Sequence, residues 1–110
     1  GILGGIGPDP QNVLMMRETA ERLFGYQYYW SVLAAGRFQL PFCTMAATMG
    51  ANVRVGLEDN LFLGRGKLAP SNAALVSKMR HILEELSFDI ATPAEAREML
   101  GLKGAAATKI

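Results

Sequence analysis

Arg54, Glu58 and Asp59 are the residues with most chemistry to offer, inside the run Asn52-Val53-Arg54-Val55-Gly56-Leu57-Glu58-Asp59-Asn60. A guanidinium is a planar fork suited to gripping a carboxylate through two hydrogen bonds. A carboxylate can ligate a divalent metal or serve as a base. Burying such charges only to hold a fold together is costly and often no better than apolar packing. The trio therefore reads as functional, with Arg54 as a carboxylate clamp and Glu58 as a metal ligand or base.

The element that must position them reads as a strand over 52–58. Apolar residues at 53, 55 and 57 alternate with Arg54, Gly56 and Glu58, which places the second set on one face. At about 3.3 Å per residue, Arg54 and Glu58 lie roughly 13 Å apart along it. Gly56 leaves space between them for a substrate or ion. A strand charged on one face and apolar on the other suits the lumen of a catalytic barrel.

Upstream, Gly1-Ile2-Leu3 reads as the end of a strand. Asp9 and Pro10 mark a helix start, and the helix runs to about Phe24, burying Val13, Met16, Ala20 and Leu23 before Gly25 stops it. Tyr28 to Ala35 is the next strand. A short apolar helix from Gln39 or Leu40 to Met49 follows and ends at Gly50. A long loop leads from the charged strand to Pro70. Ser71 then caps a helix over Asn72–Leu86, packed through Leu75, Met79, Ile82 or Leu83, and Leu86. Thr92-Pro93-Ala94-Glu95 is a capping box that opens a last short helix ending at Gly101.

That alternation of strands and helices calls for a parallel sheet with crossover helices, either open or closed. The inward charges favour a (β/α)8 (TIM) barrel, whose sites form at the C-terminal ends of its strands. A whole barrel of that kind needs about 250 residues. The 110 residues are then expected to be its last three strand–helix units, a segment of one longer domain.

The remaining motifs read more plainly. The glycines at 1, 4, 5 and 7 match neither nucleotide-binding fingerprint, and a tight turn is expected there. Gly64-Arg65-Gly66-Lys67 is a charged loop that could hold a phosphorylated cofactor. His81 lies on the polar side of its helix, and one histidine rules out a catalytic triad or a two-histidine metal site within these residues. Cys43 stands among apolar neighbours as an inert buried thiol, and the methionines read as core filling. A net charge of +1 excludes the strong basic field of a dedicated nucleic-acid binder. No apolar run approaches the ~20 residues a membrane helix needs. A single cysteine gives no disulfide framework, so the cytoplasm is the expected compartment.

NVRVGLEDN, followed by LFLGRGKLAPSNAALV and IATPAEAREMLGL, resembles the C-terminal third of the β-keto acid cleavage enzymes, first known as 3-keto-5-aminohexanoate cleavage enzyme. FGYQYYWSVLAAGRFQLPF is similar to that family's penultimate strand and following helix, so the likeness extends from about Gly4 to Leu102. The resemblance implies a TIM barrel, usually a homotetramer, and a divalent metal, normally zinc. It also implies condensation of a β-keto acid with acetyl-CoA, giving acetoacetate and a new acyl-CoA. Glu58 matches the family's last-strand zinc ligand, and Arg54 and Asp59 match the pair that supports proton abstraction. The family's His-x-His pair is absent from these residues, which would supply one zinc ligand of three. Two alternatives remain: a non-catalytic fragment acting as an assembly module, and another metal-dependent barrel lyase or aldolase.

Overall fold

The computed structural model describes residues 4–108. The strand expected over Gly1–Leu3 lies outside them. The first helix, α1 (Pro10–Phe24), begins where Asp9 accepts the amide of Gln11, with proline in the first turn. It ends at Gly25, whose φ of 58° lets its amide return to Glu21. A short strand β1 (Ser31–Val32), a 3-10 turn (Gly36–Phe38) and helix α2 (Gln39–Thr48) follow. The second strand, β2 (Asn52–Val53), lies parallel to β1 with Ser31 opposite Asn52 and Val32 opposite Val53. A hairpin, β3 (Phe62–Gly64) and β4 (Lys67–Leu68), leads to α3 (Asn72–Glu85) and α4 (Pro93–Met99). A 3-10 turn at Ala105–Ala107 is the last element among the described residues.

The parallel β1–α2–β2 unit carries the core on one side of the strand pair. Cys43 and Ala47 of α2 meet Met79 and Leu83 of α3, with Val53 and Val55 packed against them. Val13 of α1, Ala34 and Phe42 form a second cluster over Trp30, Val32 and Met49. The period-two reading thus holds through residue 55: both valines enter the core, and Arg54 between them is exposed on the other face.

Both expected strands are longer in sequence than in space. Tyr28–Ala35 pairs only at Ser31–Val32, and 52–58 only at Asn52–Val53, extended by one ladder bond from the Arg54 amide to Val32 O (3.1 Å). A strand lasts as far as a neighbour exchanges hydrogen bonds with it. Past Val55 the chain turns instead, with the amides of Asp59 and Asn60 both donating to Gly56 O (3.3 and 3.1 Å). The long loop to Pro70 contains the β3–β4 hairpin, which the sequence reading lacked. Its Arg65-Gly66 turn uses a φ of 72° at Gly66.

Helix α1 departs from its expected burial. Val13 is buried, whereas Met16 and Leu23 are exposed. Helix α3 keeps Leu75, Met79 and Leu83 inside but leaves Leu86 in solvent. The α4 capping box forms as expected, and hydrogen bonds from the Thr92 amide and hydroxyl hold the Glu95 carboxyl below its usual range. Among the described residues, no helix is long and apolar enough to cross a membrane.

Candidate functional site

Arg54 leaves the sheet at the C-terminal end of β2, and the turn at 57–59 brings both acids back to it. Arg54 Nη2 lies 2.5 Å from Glu58 Oε2 and 3.4 Å from Asp59 Oδ2. Glu58 is therefore on a turn and not on the strand's charged face. Reversal of the chain, more than side-chain reach, removes the separation expected of an extended 52–58 segment. The two acids differ in setting. Glu58 is 80% exposed, so its ion pair is a surface one worth on the order of 0–1 kcal/mol. Asp59 is 13% exposed, and its buried Oδ2 accepts no hydrogen bond. Its cationic neighbour Arg54 offsets its charge without a hydrogen bond, so the oxygen keeps acceptor capacity for a ligand.

Gly56 does not open the space expected beside it. A Cβ there would stand 3.3 Å from Asn72 Oδ1, so the space beside it belongs to the start of α3 and not to a substrate. That same Oδ1 accepts the Leu57 amide at 2.7 Å, fixing the turn's entry.

Helix α2 supplies the support that sequence reasoning missed. Gln39 is fully buried; its Nε2 donates to Gly56 O (3.1 Å), and its Oε1 accepts from Asn60 Nδ2 (3.4 Å). Asn60 Nδ2 also donates to Phe62 O (2.7 Å), and its Oδ1 accepts the Phe62 amide (3.0 Å). One turn along α2, the Cys43 thiol faces both strand ends, with Sγ 3.4 Å from Val32 O and 3.3 Å from Arg54 O. Burial first, with the Asp59 charge adding, pushes its pKa above the usual 9.0 despite an opposing contribution from the Arg54 backbone contact. Cys43 is thus the inert thiol expected of it, and also a donor at the root of the site. The Gly36 amide, in the turn before α2, donates to Asp59 O at 2.7 Å. A glutamine opening an apolar helix, four residues before a cysteine, was the available signal for this support.

The donor set decides what the site can hold. Glu58 is a solvent-facing carboxylate that fits one position of a metal's shell. Among the described residues, however, no three of His, Cys, Asp and Glu come together as a metal site. His81 is on α3, exposed and 3.8 Å from Glu85. What the arrangement can do by itself is present a cation and a poorly solvated carboxylate side by side, which suits anchoring an acid and moving a proton.

Comparison with known proteins gives the family. The model of the beta-keto acid cleavage enzyme family matches residues 1–102. The chain belongs to that family. It is 59% identical over 108 residues to a 3,5-dioxohexanoate:acetyl-CoA acetone transferase of Paraburkholderia graminis, covering 98% of this chain and 35% of that protein. It is 37% identical over 102 residues to a 3-keto-5-aminohexanoate cleavage enzyme of Acetoanaerobium sticklandii, covering 93% and 36% respectively. A 3-oxoadipate:acetyl-CoA acetyltransferase of Cupriavidus necator is 45% identical over 73 residues, 66% of this chain and 26% of that protein. The chain spans about a third of the length of the first two relatives.

Proposed function

We propose that these residues are the C-terminal part of a (β/α)8 barrel enzyme that exchanges acyl groups between a β-keto acid and acetyl-CoA. The observation that carries the reading is Asp59 Oδ2, buried without a hydrogen bond and 3.4 Å from Arg54 Nη2, in a chain of this family. In this reading Arg54 holds the substrate carboxylate by charge and paired hydrogen bonds. Asp59 takes the proton whose removal begins carbon–carbon exchange toward the thioester, and Arg54 beside it balances the charge of the carboxylate that does so. Glu58 contributes one carboxylate to a divalent metal, with zinc the expected ion and the other ligands outside these residues. Such a metal supplies Lewis-acid polarisation of the keto oxygen. Gln39, Asn60 and Asn72 act behind these groups as positioning residues. A cytoplasmic homotetramer is the expected form of the whole protein.

The test is an assay of the intact protein with acetyl-CoA and a panel of β-keto acids, with and without chelator. Acyl-CoA should form, and chelation should stop it. Asp59→Asn should lower turnover by about 10²-fold or more while leaving metal content unchanged. Arg54→Ala should do the same, whereas Glu58→Gln should weaken metal retention. Turnover indifferent to chelator, or metal loss on changing Arg54 but not Glu58, would overturn these roles.

A further inference from the structure

A second feature lies beside the ion-paired turn. Helix α2, helix α3 and the β3–β4 hairpin enclose an open groove of about 1030 Å³. That is just above the usual range for small-molecule sites, roughly 300–1,000 Å³, and large enough for a nucleotide-sized group. Its walls are apolar, from Leu40, Pro41, Phe62 and Ile82, and its charged residues are all cations: Arg37, Arg65 and Lys78. None of these three pairs with a carboxylate among the described residues, whereas Arg17 on α1 and Arg80 on α3 each pair with a glutamate four residues on. Lys78 Nζ donates to Leu63 O and so ties the hairpin to α3, while the Arg37 guanidinium lies 4.8 Å from the Phe38 ring centroid. The cationic ends are thus held near the groove without being neutralised.

The position matters as much as the charge. Arg37 is in the segment that follows β1, and Arg65 in the hairpin that follows β2. In (β/α)8 enzymes, loops after the last two strands frequently form a phosphate site. The groove also reaches the ion-paired turn, because Gly36 and Asn60 line it. The Gly36 amide holds Asp59 O, and Asn60 is the next residue in the chain.

We propose that this groove binds the phosphorylated nucleotide end of acetyl-CoA, with Arg37 and Arg65 on its phosphates and the thioester arm passing Gly36 and Asn60 toward Asp59. The proposal rests on the acyl-exchange reading for the identity of its ligand. It goes beyond that reading in assigning the nucleotide to residues outside the reacting site.

Two measurements on the intact protein separate the two ideas. In the first, Arg37→Ala and Arg65→Ala are assayed with acetyl-CoA and with acetyl-pantetheine, which lacks the nucleotide. Each variant should raise KM for acetyl-CoA about tenfold or more, leave kcat near wild type, and leave KM for acetyl-pantetheine unchanged. In the second, adenosine 3′,5′-bisphosphate is titrated calorimetrically into wild type and variants, and its binding should weaken in both variants. Normal turnover with neither KM nor bisphosphate affinity altered would overturn the groove and leave the acyl-exchange reading standing. Bisphosphate binding that depends on Arg65, in a protein inactive on every keto acid, would support the groove and overturn the acyl-exchange reading. Variants that change the sedimentation coefficient without changing bisphosphate affinity would make the groove a contact between subunits and overturn the proposal.

Discussion

Gln39 does more for the Arg54–Asp59 pair than its place on a helix would suggest. A fully buried primary amide must spend its donors and acceptor inside the protein, and Gln39 directs them at Gly56 O and Asn60. These two bracket the turn that carries Glu58 and Asp59. Gln39→Leu would leave the Gly56 carbonyl and one Asn60 donor without that partner. We expect it to cost about 1–3 kcal/mol in denaturant unfolding of the intact protein and to lower kcat. Unchanged stability together with unchanged kcat would mean the turn holds its shape without α2. The charged residues themselves were legible by type, and so was the burial of Cys43, whereas the strand spacing misplaced Glu58. Their supporting amides were not, because a lone Gln or Asn in sequence carries no sign of which carbonyl it will meet.

At the scale of elements, helix ends were the most readable feature, because capping is local chemistry. Asp9, Ser71 and Thr92 all cap as their types suggest. Three C-termini share one closing pattern, in which the residue after the cap adopts positive φ. Gly50 does so at 81° after α2, and Gly101 at 60° after α4. After α3 the same place is taken by Ser87 at 63°, with its amide on Glu84 O (2.9 Å) and the Phe88 amide on Leu83 O (3.0 Å). An L-residue with a side chain is strained there, so Ser87→Gly should stabilise the protein by about 0.5–1 kcal/mol. A thermal melt of the variant checks this, and a lowered midpoint would contradict it. Strand lengths were read less well than caps. Alternation reveals which face a residue takes while extended, but pairing ends where the neighbour ends, and neither β1 nor β2 announces its neighbour's reach.

The whole molecule leaves much of its apolar surface uncovered. Its radius of gyration is 15.5 Å, against about 13 Å for a compact domain of this length. Leu14, Met16 and Leu23 of α1 are exposed, as are Met99, Leu100 and Leu102 around the end of α4. Exposed apolar area of this extent marks surfaces that meet other protein. The isolated 110-residue polypeptide should therefore associate, and with one candidate ligand of its own it should not retain zinc stoichiometrically. Sedimentation showing a cooperative monomer, or metal analysis showing one tight zinc per chain, would contradict the partial-barrel reading.

The sequence by itself determined which residues bear charge near the end of β2, where helices begin, and the family to which those motifs belong. These follow from residue type, short-range periodicity and local hydrogen bonding, all of which are written within a few positions. Tertiary structure decided the rest: that Glu58 and Asp59 return to Arg54 through a turn, that Asn72 fills the place beside Gly56, and that Gln39 reaches the turn from α2. The last two depend on contacts between residues 15 to 21 positions apart, and those same contacts hold the ends of the turn. Such contacts are fixed by how helices pack on strands, and no short window of sequence specifies that.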